Sequence, residues 1–469
     1  MNLTRRRVTS LAVAGTSLLR DGVLRADDLP LVELLQVKAR RKPDQEWHEY
    51  PTRTLDRVAG FHPGTRSVKT GIYGGRTDRQ QAASGFFRTS KTGSRWYLID
   101  PDGNPYIQAG ICSLTTGKSA NNLKNLKAKF GTSEKSAAQT WAARTSELLR
   151  ANGFSGSGGW SDNDVLRTVP NRLAYTTMNN FMGDFGRSRH ITHQQAGHLG
   201  YPNDCIPVFH PDFEASCDKT ARALSATKDD PFLLGHFLDN ELPAPEDLLD
   251  RHLKLDSADP GRIAAEEWLT QRRTAGISGA DREAFRGFVF ARYFKLTSNA
   301  IRKHDSSHLC LGSRMHGPFL NSPAIMRAAG NYVDVVCVNV YNYWAPPSDL
   351  MAMWTAQSGK PFIVTEWYTK GEDSGYPNTS GAGWNVPTQR DRGWFYQNFS
   401  IALLESKNCV GWHWFKYLDN DPEDMTTDPS NRDSNKGLVN LRYEPYPDLL
   451  AAMNSLNANV YALADHFDR

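Results

Sequence analysis

The sequence predicts a (β/α)8 barrel with a short irregular N-terminal arm, on three observations. Eight short apolar runs follow one another between residues 105 and 417. Helical patterns separate most of them. The runs are continuous rather than alternating, as strands buried on both faces are. Strand and helix in repeated alternation is the pattern of a parallel barrel. A doubly wound open sheet is the second choice, and it lacks the Gly-x-Gly-x-x-Gly expected after its first strand.

Bulk properties agree with one large domain. The chain has 469 residues, of which 39% are hydrophobic and 23% charged, so a sizeable core is available. Its 55 basic and 51 acidic residues leave a formal charge of +4. No basic stripe stands out, which argues against nucleic acid as a partner. Aromatic residues are plentiful, with 12 Trp, 17 Tyr and 21 Phe. Many of the Trp sit beside Gly, Asn and Asp, where exposed rings stack on sugars or bases.

The chain begins with Arg5, Arg6 and Arg7 ahead of a mild apolar stretch from Val8 to Leu19. This reads as a twin-arginine export signal over residues 1–26, sending the protein to the periplasm or beyond. The stretch is too short for a standard membrane span, and no other segment approaches one. Residues 27–90 read as the arm, and 91–469 as the barrel. Within "RWYLIDPDGNPYIQAGICS" (95–113) two strands flank a turn at Asp100-Pro101-Asp102-Gly103, where Pro presets φ and Gly accepts a positive one.

The barrel strands are read at 105–113, 153–160, 173–180, 233–241, 309–316, 333–343, 361–367 and 409–417. Helices are read at 134–152, from about 212 to 227, across about 261–304, at 350–359, from 389, and from 446 to the end. A Gly/Ser-rich loop covers 371–388. Six Cys are present; four lie in apolar runs as buried thiols, while for Cys205 and Cys217, twelve apart in a loop-rich region, pairing on export is left open. No CxxC or Cys/His metal spacing occurs, and no metal or cofactor is expected. The acidic stretch "LDNDPEDMTTDPSNRDSN" (418–435) lacks the spacing of an EF-hand and reads as a solvated loop.

Chemistry in such a barrel sits at the C-terminal strand ends. The fourth strand, in "FLLGHFLDNELP" (232–243), ends on Asn240 and Glu241. The seventh, "PFIVTEW", ends on Glu366. Nearly half the circuit separates them, so the two carboxylates face each other across the mouth. Glycoside hydrolysis needs that arrangement: one carboxyl protonated to donate to the leaving oxygen, the other ionised to attack or to activate water. Burial and mutual charge set the two pKa values apart. A strand-end carboxylate that caps a helix or pairs with Arg is the plain alternative for either residue alone.

Asn240 is read as hydrogen-bonding the sugar 2-hydroxyl. Tyr341 and Tyr343 are read as orienting Glu366, and Asn339, polar in an apolar strand, needs a partner. Arg314 and His316 are read as binding sugar hydroxyls or keeping Glu366 ionised. Trp414 is read as the platform under the sugar, with Trp160, Trp367 and Trp384 as further stacking positions.

With these residues in place the chain resembles a retaining glycoside hydrolase of clan A. It is further similar to glycoside hydrolase family 50, the β-agarases, in "SGFFRTSKTGSRWYLIDPDGNPYIQAGICS", "LLGHFLDNELP", "LGSRMHG", "VNVYNY", "KPFIVTEWYTKGEDSG", "GWHWFKYLDN" and "NKGLVNLRYEPYPDLL". The resemblance implies Glu241 as acid/base and Glu366 as nucleophile, acting on a β-linked polysaccharide or oligosaccharide, agar-type galactan first. The alternatives are a clan A hydrolase for another β-glycan, of β-galactosidase or β-glucanase type, and a non-catalytic carbohydrate-binding barrel. The expected partner is carbohydrate, with no nucleic acid and no membrane after signal removal. The sugar, the linkage, endo or exo action and the oligomeric state are left open.

Overall fold

The computed structural model describes residues 33–64, 68–195, 197–272, 276–426 and 431–469. The export-signal residues lie outside that set. Eight parallel strands close into a barrel in sequential order. We label them β1 (Gln108–Ile111), β2 (Gly156–Ser157), β3 (Ala174–Met178), β4 (Leu233–Asn240), β5 (Leu309–Met315), β6 (Val336–Asn339), β7 (Phe362–Glu366) and β8 (Cys409–Trp414). Each falls inside one of the eight runs read from the sequence. β4 and β5 are buried along almost their whole length, as their unbroken apolar character requires.

Several helices between strands start where short polar side chains satisfy free backbone N–H groups. Ser119, Ser278 and Thr388 each form a capping box with Asn122, Asp281 and Asp391. The region read as one long helix over 261–304 is two, Pro260–Arg272 and Gly279–His304. The Ser278 cap restarts the chain there, and Gly279 opens the second helix. The helix Ala120–Phe130 was not anticipated, because its surface is mostly polar.

The barrel floor is closed by a three-stranded antiparallel sheet of Arg88–Thr92, Arg95–Ile99 and Pro105–Tyr106. Its Leu98 and Tyr106, with Tyr73 and Phe87, pack on Leu234, Leu311, Val335, Ile363 and Val410 from the strands. Inside the barrel, His413 Nε2 donates to Gln108 Oε1 at 2.7 Å. Gly158 makes room for it, since a Cβ there would lie 2.6 Å from the ring.

Three expectations change. The arm is not wholly irregular: Leu35–Ala39 and His48–Thr52 pair as an antiparallel hairpin. Arg40 at its tip bridges to Asn385 through two backbone hydrogen bonds. All six Cys are free and buried, Cys205 and Cys217 included, so these two do not pair. The 418–435 stretch is not simply solvated. Asp419 is buried and accepts from Asn435, the Gly437 amide and Tyr446, which ties the two ends of the stretch together. No described helix is long and apolar enough to cross a membrane.

Candidate active site

A pocket of about 640 Å³ opens at the C-terminal end of the strands, where barrel chemistry is expected. Asn240, Glu241, His316, Tyr341 and Glu366 line it together with Trp160. Neighbouring residues on a strand point to opposite faces. Asn240 and Glu241 nevertheless share the pocket, because Glu241 takes φ +47°, a left-handed turn. Its amide bonds the Arg314 carbonyl at 3.0 Å. Ser113 and Trp160, both on the pocket wall, also hold positive φ, 50° and 58°. Each such residue costs on the order of 1 kcal/mol or more, and such strain collects at functional sites.

Glu366 is 5% exposed. Tyr341 donates its hydroxyl to Glu366 Oε2. Arg314 Nη1 lies 2.8 Å from Oε1 as an ion pair. The Nη1 hydrogen bond goes instead to Asn240 Oδ1 at 3.2 Å, so the contact with Glu366 is one of charge rather than a directed bond. The fully buried guanidinium is fixed further by the Thr365 carbonyl at 2.7 Å and Cys112 Sγ at 3.2 Å. Its outer face lies 4.1 Å from the Trp160 ring centroid. Burial alone would lower its pKa; Glu366 and the other acids around it outweigh that and hold it above the ordinary value. Arg314 is therefore a permanent cation beside Glu366.

Glu241 sits differently. Its Oε1 accepts from Asn339 Nδ2 at 2.8 Å. Loss of water, then the negative charge of Glu366, push its pKa up to about 7. His316, Asn339 and Arg314 pull the other way without cancelling this. One carboxyl thus keeps its proton near neutrality while the other faces a fixed cation, which is the division of roles that glycoside hydrolysis uses. Asn339 also accepts from Thr365 Oγ1 at 2.7 Å, so its amide is locked with the NH2 toward Glu241. Asn240 Oδ1 is held by Arg314 and by Asn339 at 3.3 Å, leaving its own NH2 as the end free to donate into the pocket. His316 Nδ1 lies 3.3 Å from the Asn339 carbonyl, and its ring packs edge-on against Tyr341. Burial first, then the two carboxyls, hold the Tyr341 hydroxyl well above its usual pKa, so it stays a donor.

The structure brings together eight of the twelve residues singled out from sequence: Glu241, Glu366, Asn240, Asn339, Arg314, His316, Tyr341 and Trp160, through the pocket and the bonds given above. Trp160 is 39% exposed and presents a ring to the pocket. Four others are elsewhere. Trp414 is fully buried, donates to the Lys436 carbonyl and packs on Trp367 and Tyr396. The next residue, Phe415, takes the pocket wall instead. Trp367 follows Glu366 and, by strand alternation, faces the helices, stacked 4.2 Å from Phe399. Trp384 is buried against Tyr50 and Trp344, with the Arg41 guanidinium 3.8 Å above it. Tyr343 packs against the core rather than reaching Glu366.

Lys42, Tyr368 and the Ser380-Gly381-Ala382 segment also line the pocket, and the sequence reading missed them. Tyr368 was within reach, two residues past Glu366. Lys42 was not, because it comes from the arm.

Among the described residues one group has the makings of a metal site: His236, Asp305 and His308, all buried. It lies outside the pocket. His236 Nε2 and His308 Nδ1 meet Asp305 Oδ2 at 2.9 and 2.8 Å. The remaining nitrogens bond Thr177 and the Asp230 carbonyl. Every nitrogen has a protein partner, so the cluster is a closed hydrogen-bond network joining β3, β4 and the start of β5.

No family model matches the chain. A solved structure, the crystal structure of BpGH50, is 31% identical with a TM-score of 0.81, over 93% of this chain and 96% of that one. Beta-agarase B of Vibrio sp. (strain JT0107) is 24% identical over 84% of this chain and 50% of its own length. Beta-agarase A of the same strain is 30% identical over 37% of this chain and 17% of its own. The chain thus spans about half the length of the first of these curated relatives.

Proposed function

The chain belongs to glycoside hydrolase family 50, and from that premise we propose that it hydrolyses a β-linked galactan of the agar type with retention of configuration. The observation that carries this reading is the unequal pair: Glu241 held protonated up to about pH 7, and Glu366 fixed between Arg314 and Tyr341. Glu241 donates its proton to the glycosidic oxygen while Glu366 attacks the anomeric carbon. Glu241, now ionised, then takes a proton from the water that releases the sugar. Asn240 offers its NH2 to the sugar 2-hydroxyl, and Trp160 with Phe415 provides apolar faces for stacking.

Retention is supported by how Glu366 is enclosed. Both its oxygens meet fixed protein groups, which suits an attacking atom better than a base that must hold a mobile water. The agar-type substrate is supported by the names of the two Vibrio relatives. Reducing-end release from agarose, porphyran, carrageenan, xylan and β-glucan tests the reading. Release from an agar-type galactan and none from xylan or β-glucan is expected; the reverse order would overturn the substrate assignment.

We further propose export by the twin-arginine route, on Arg5–Arg7 and the apolar stretch that follows. Replacing Arg5, Arg6 and Arg7 by Lys is expected to leave the protein in the cytoplasm of its host. Unchanged export of that variant would refute it.

A further inference from the structure

The N-terminal arm reaches into the active-site pocket and brings a cation with it. Lys42 lines the pocket. Its ammonium donates to the Thr379 carbonyl at 2.8 Å and the Gly381 carbonyl at 3.4 Å. From beneath the same loop, buried Lys370 donates to the carbonyls of Asn378 and Ser380 at 3.0 and 2.8 Å. The loop that forms this wall is therefore clamped between two lysines. The preceding Arg41 donates to the Tyr341 carbonyl at 2.7 Å and stacks on Trp384, which fixes where Lys42 points.

The charges at this corner do not balance. Arg40 is paired with Glu372 at 2.7 Å and leaves no surplus. Arg41 and Lys42 have no carboxylate partner among the described residues, where ion pairs are otherwise common. Among the described residues Asp433 is the carboxylate of this corner, and it is taken up by the backbone N–H and hydroxyl groups of Thr379 and Ser380. Among the described residues, two full cations against one carboxylate leave an excess of one positive charge before Lys370 and Lys436 are counted. Deeper in the pocket the balance is the opposite: the Glu366 charge is already met by Arg314. The surplus cation thus stands on the pocket wall, held by carbonyl groups that fix its position without neutralising it. A neutral sugar ring offers no counter-charge for it.

We propose that Lys42 makes this pocket selective for a galactan sugar carrying an anionic substituent, a sulfate ester or a carboxylate. This rests on the galactan reading above. It makes Lys42 a specificity residue supplied by the arm, with Arg41 and Lys370 as the residues that position it. An exchange of Lys42 for another residue then changes which oligosaccharide is chosen, and leaves the acid and the nucleophile untouched.

The test is binding, measured by titration calorimetry on the Glu366→Gln protein, which cannot turn its ligand over. The probes are a neutral agaro-oligosaccharide, its 6-sulfated counterpart and a pyruvylated, carboxylate-bearing one, each at low and high salt. At least one anionic probe is expected to bind about tenfold tighter than the neutral one, a difference of about 1.4 kcal/mol. That advantage should shrink at high salt. It should vanish in Lys42→Met and return in Lys42→Arg, read in each variant as the ratio of anionic to neutral binding. Comparing the sulfated and carboxylated probes names the substituent. Equal or weaker binding of both anionic probes, with the neutral one bound, overturns this inference and leaves the galactan reading standing. No binding of any probe overturns both. An advantage that survives Lys42→Met overturns the role given to Lys42.

Discussion

Glu366→Gln is expected to lower turnover of the polysaccharide by about 10⁴-fold or more, with the protein still folded and still binding substrate. The substitution keeps the shape of the side chain and the bond from Tyr341, but it removes the charge that Arg314 was placed to meet. Two losses then coincide. The attacking oxygen becomes an amide oxygen, and the Arg314 cation, fully buried, loses its counter-ion. Burial of an unpaired charge is destabilising, so the melting temperature should fall as well. A nucleophile leaves a further trace. Glu366→Gly with added azide should regain cleavage of an activated aryl galactoside, because the small anion enters the space the carboxylate leaves. Its product would be the α-galactosyl azide, inverted relative to the substrate. Activity of Glu366→Gln within tenfold of the parent would exclude the role assigned to this residue.

The second large effect belongs to Glu241. Glu241→Gln should cost about 10²–10⁴-fold on the natural polymer, the usual worth of a positioned general acid. The loss of the first step should be much smaller on a substrate whose leaving group needs no proton, such as a nitrophenyl glycoside. The pH dependence follows from the sign of the shift. Glu241 is raised from 4.5 to about 7, so the acid form persists to about pH 7, and the rate on the polymer should fall as pH rises through that value. Stability moves the same way. A carboxyl whose folded pKa is raised holds its proton more tightly in the folded than in the unfolded state. Folding therefore loses stability as pH climbs from about 4.5 to about 7, and the deficit is constant above. Glu241→Gln has no such group. Its melting temperature should gain on the parent between pH 5 and pH 8, while its activity no longer has that alkaline limb. Melting curves and rate profiles over that range check both halves.

Much of this was legible in the sequence, for physical reasons. Parallel strands buried on both faces read as unbroken apolar runs, so all eight could be placed, and the carboxylates at the ends of β4 and β7 stood out because they end such runs. Their partners Arg314, Asn339 and Tyr341 were found by the same logic, as polar groups at strand ends that need somewhere to go. What composition does not reveal is direction. Trp367 and Trp414 sit beside residues of the pocket, yet a single step along a strand turns a side chain from the mouth to the helices. Phe415, not Trp414, therefore lines the site. The same rule would have split Asn240 from Glu241, and only the left-handed turn at Glu241 restores them to one pocket. Nothing near Lys42 in the sequence announces its place. Its bonds to Thr379 and Gly381 span more than three hundred residues, and contacts of that range carry no local pattern. Trp384 was misread for the same reason: its loop is covered by the arm, through Tyr50 and Arg41.

The central claim is a division of labour in which Glu241 acts as acid and Glu366 forms a bond to the sugar. Proton NMR of a fresh agarose digest tests it most directly, by recording the anomeric signal of the first reducing ends before mutarotation. The account predicts β-configured reducing ends first, with the α signal growing in later. First-formed α ends would contradict it and make Glu366 a base for water.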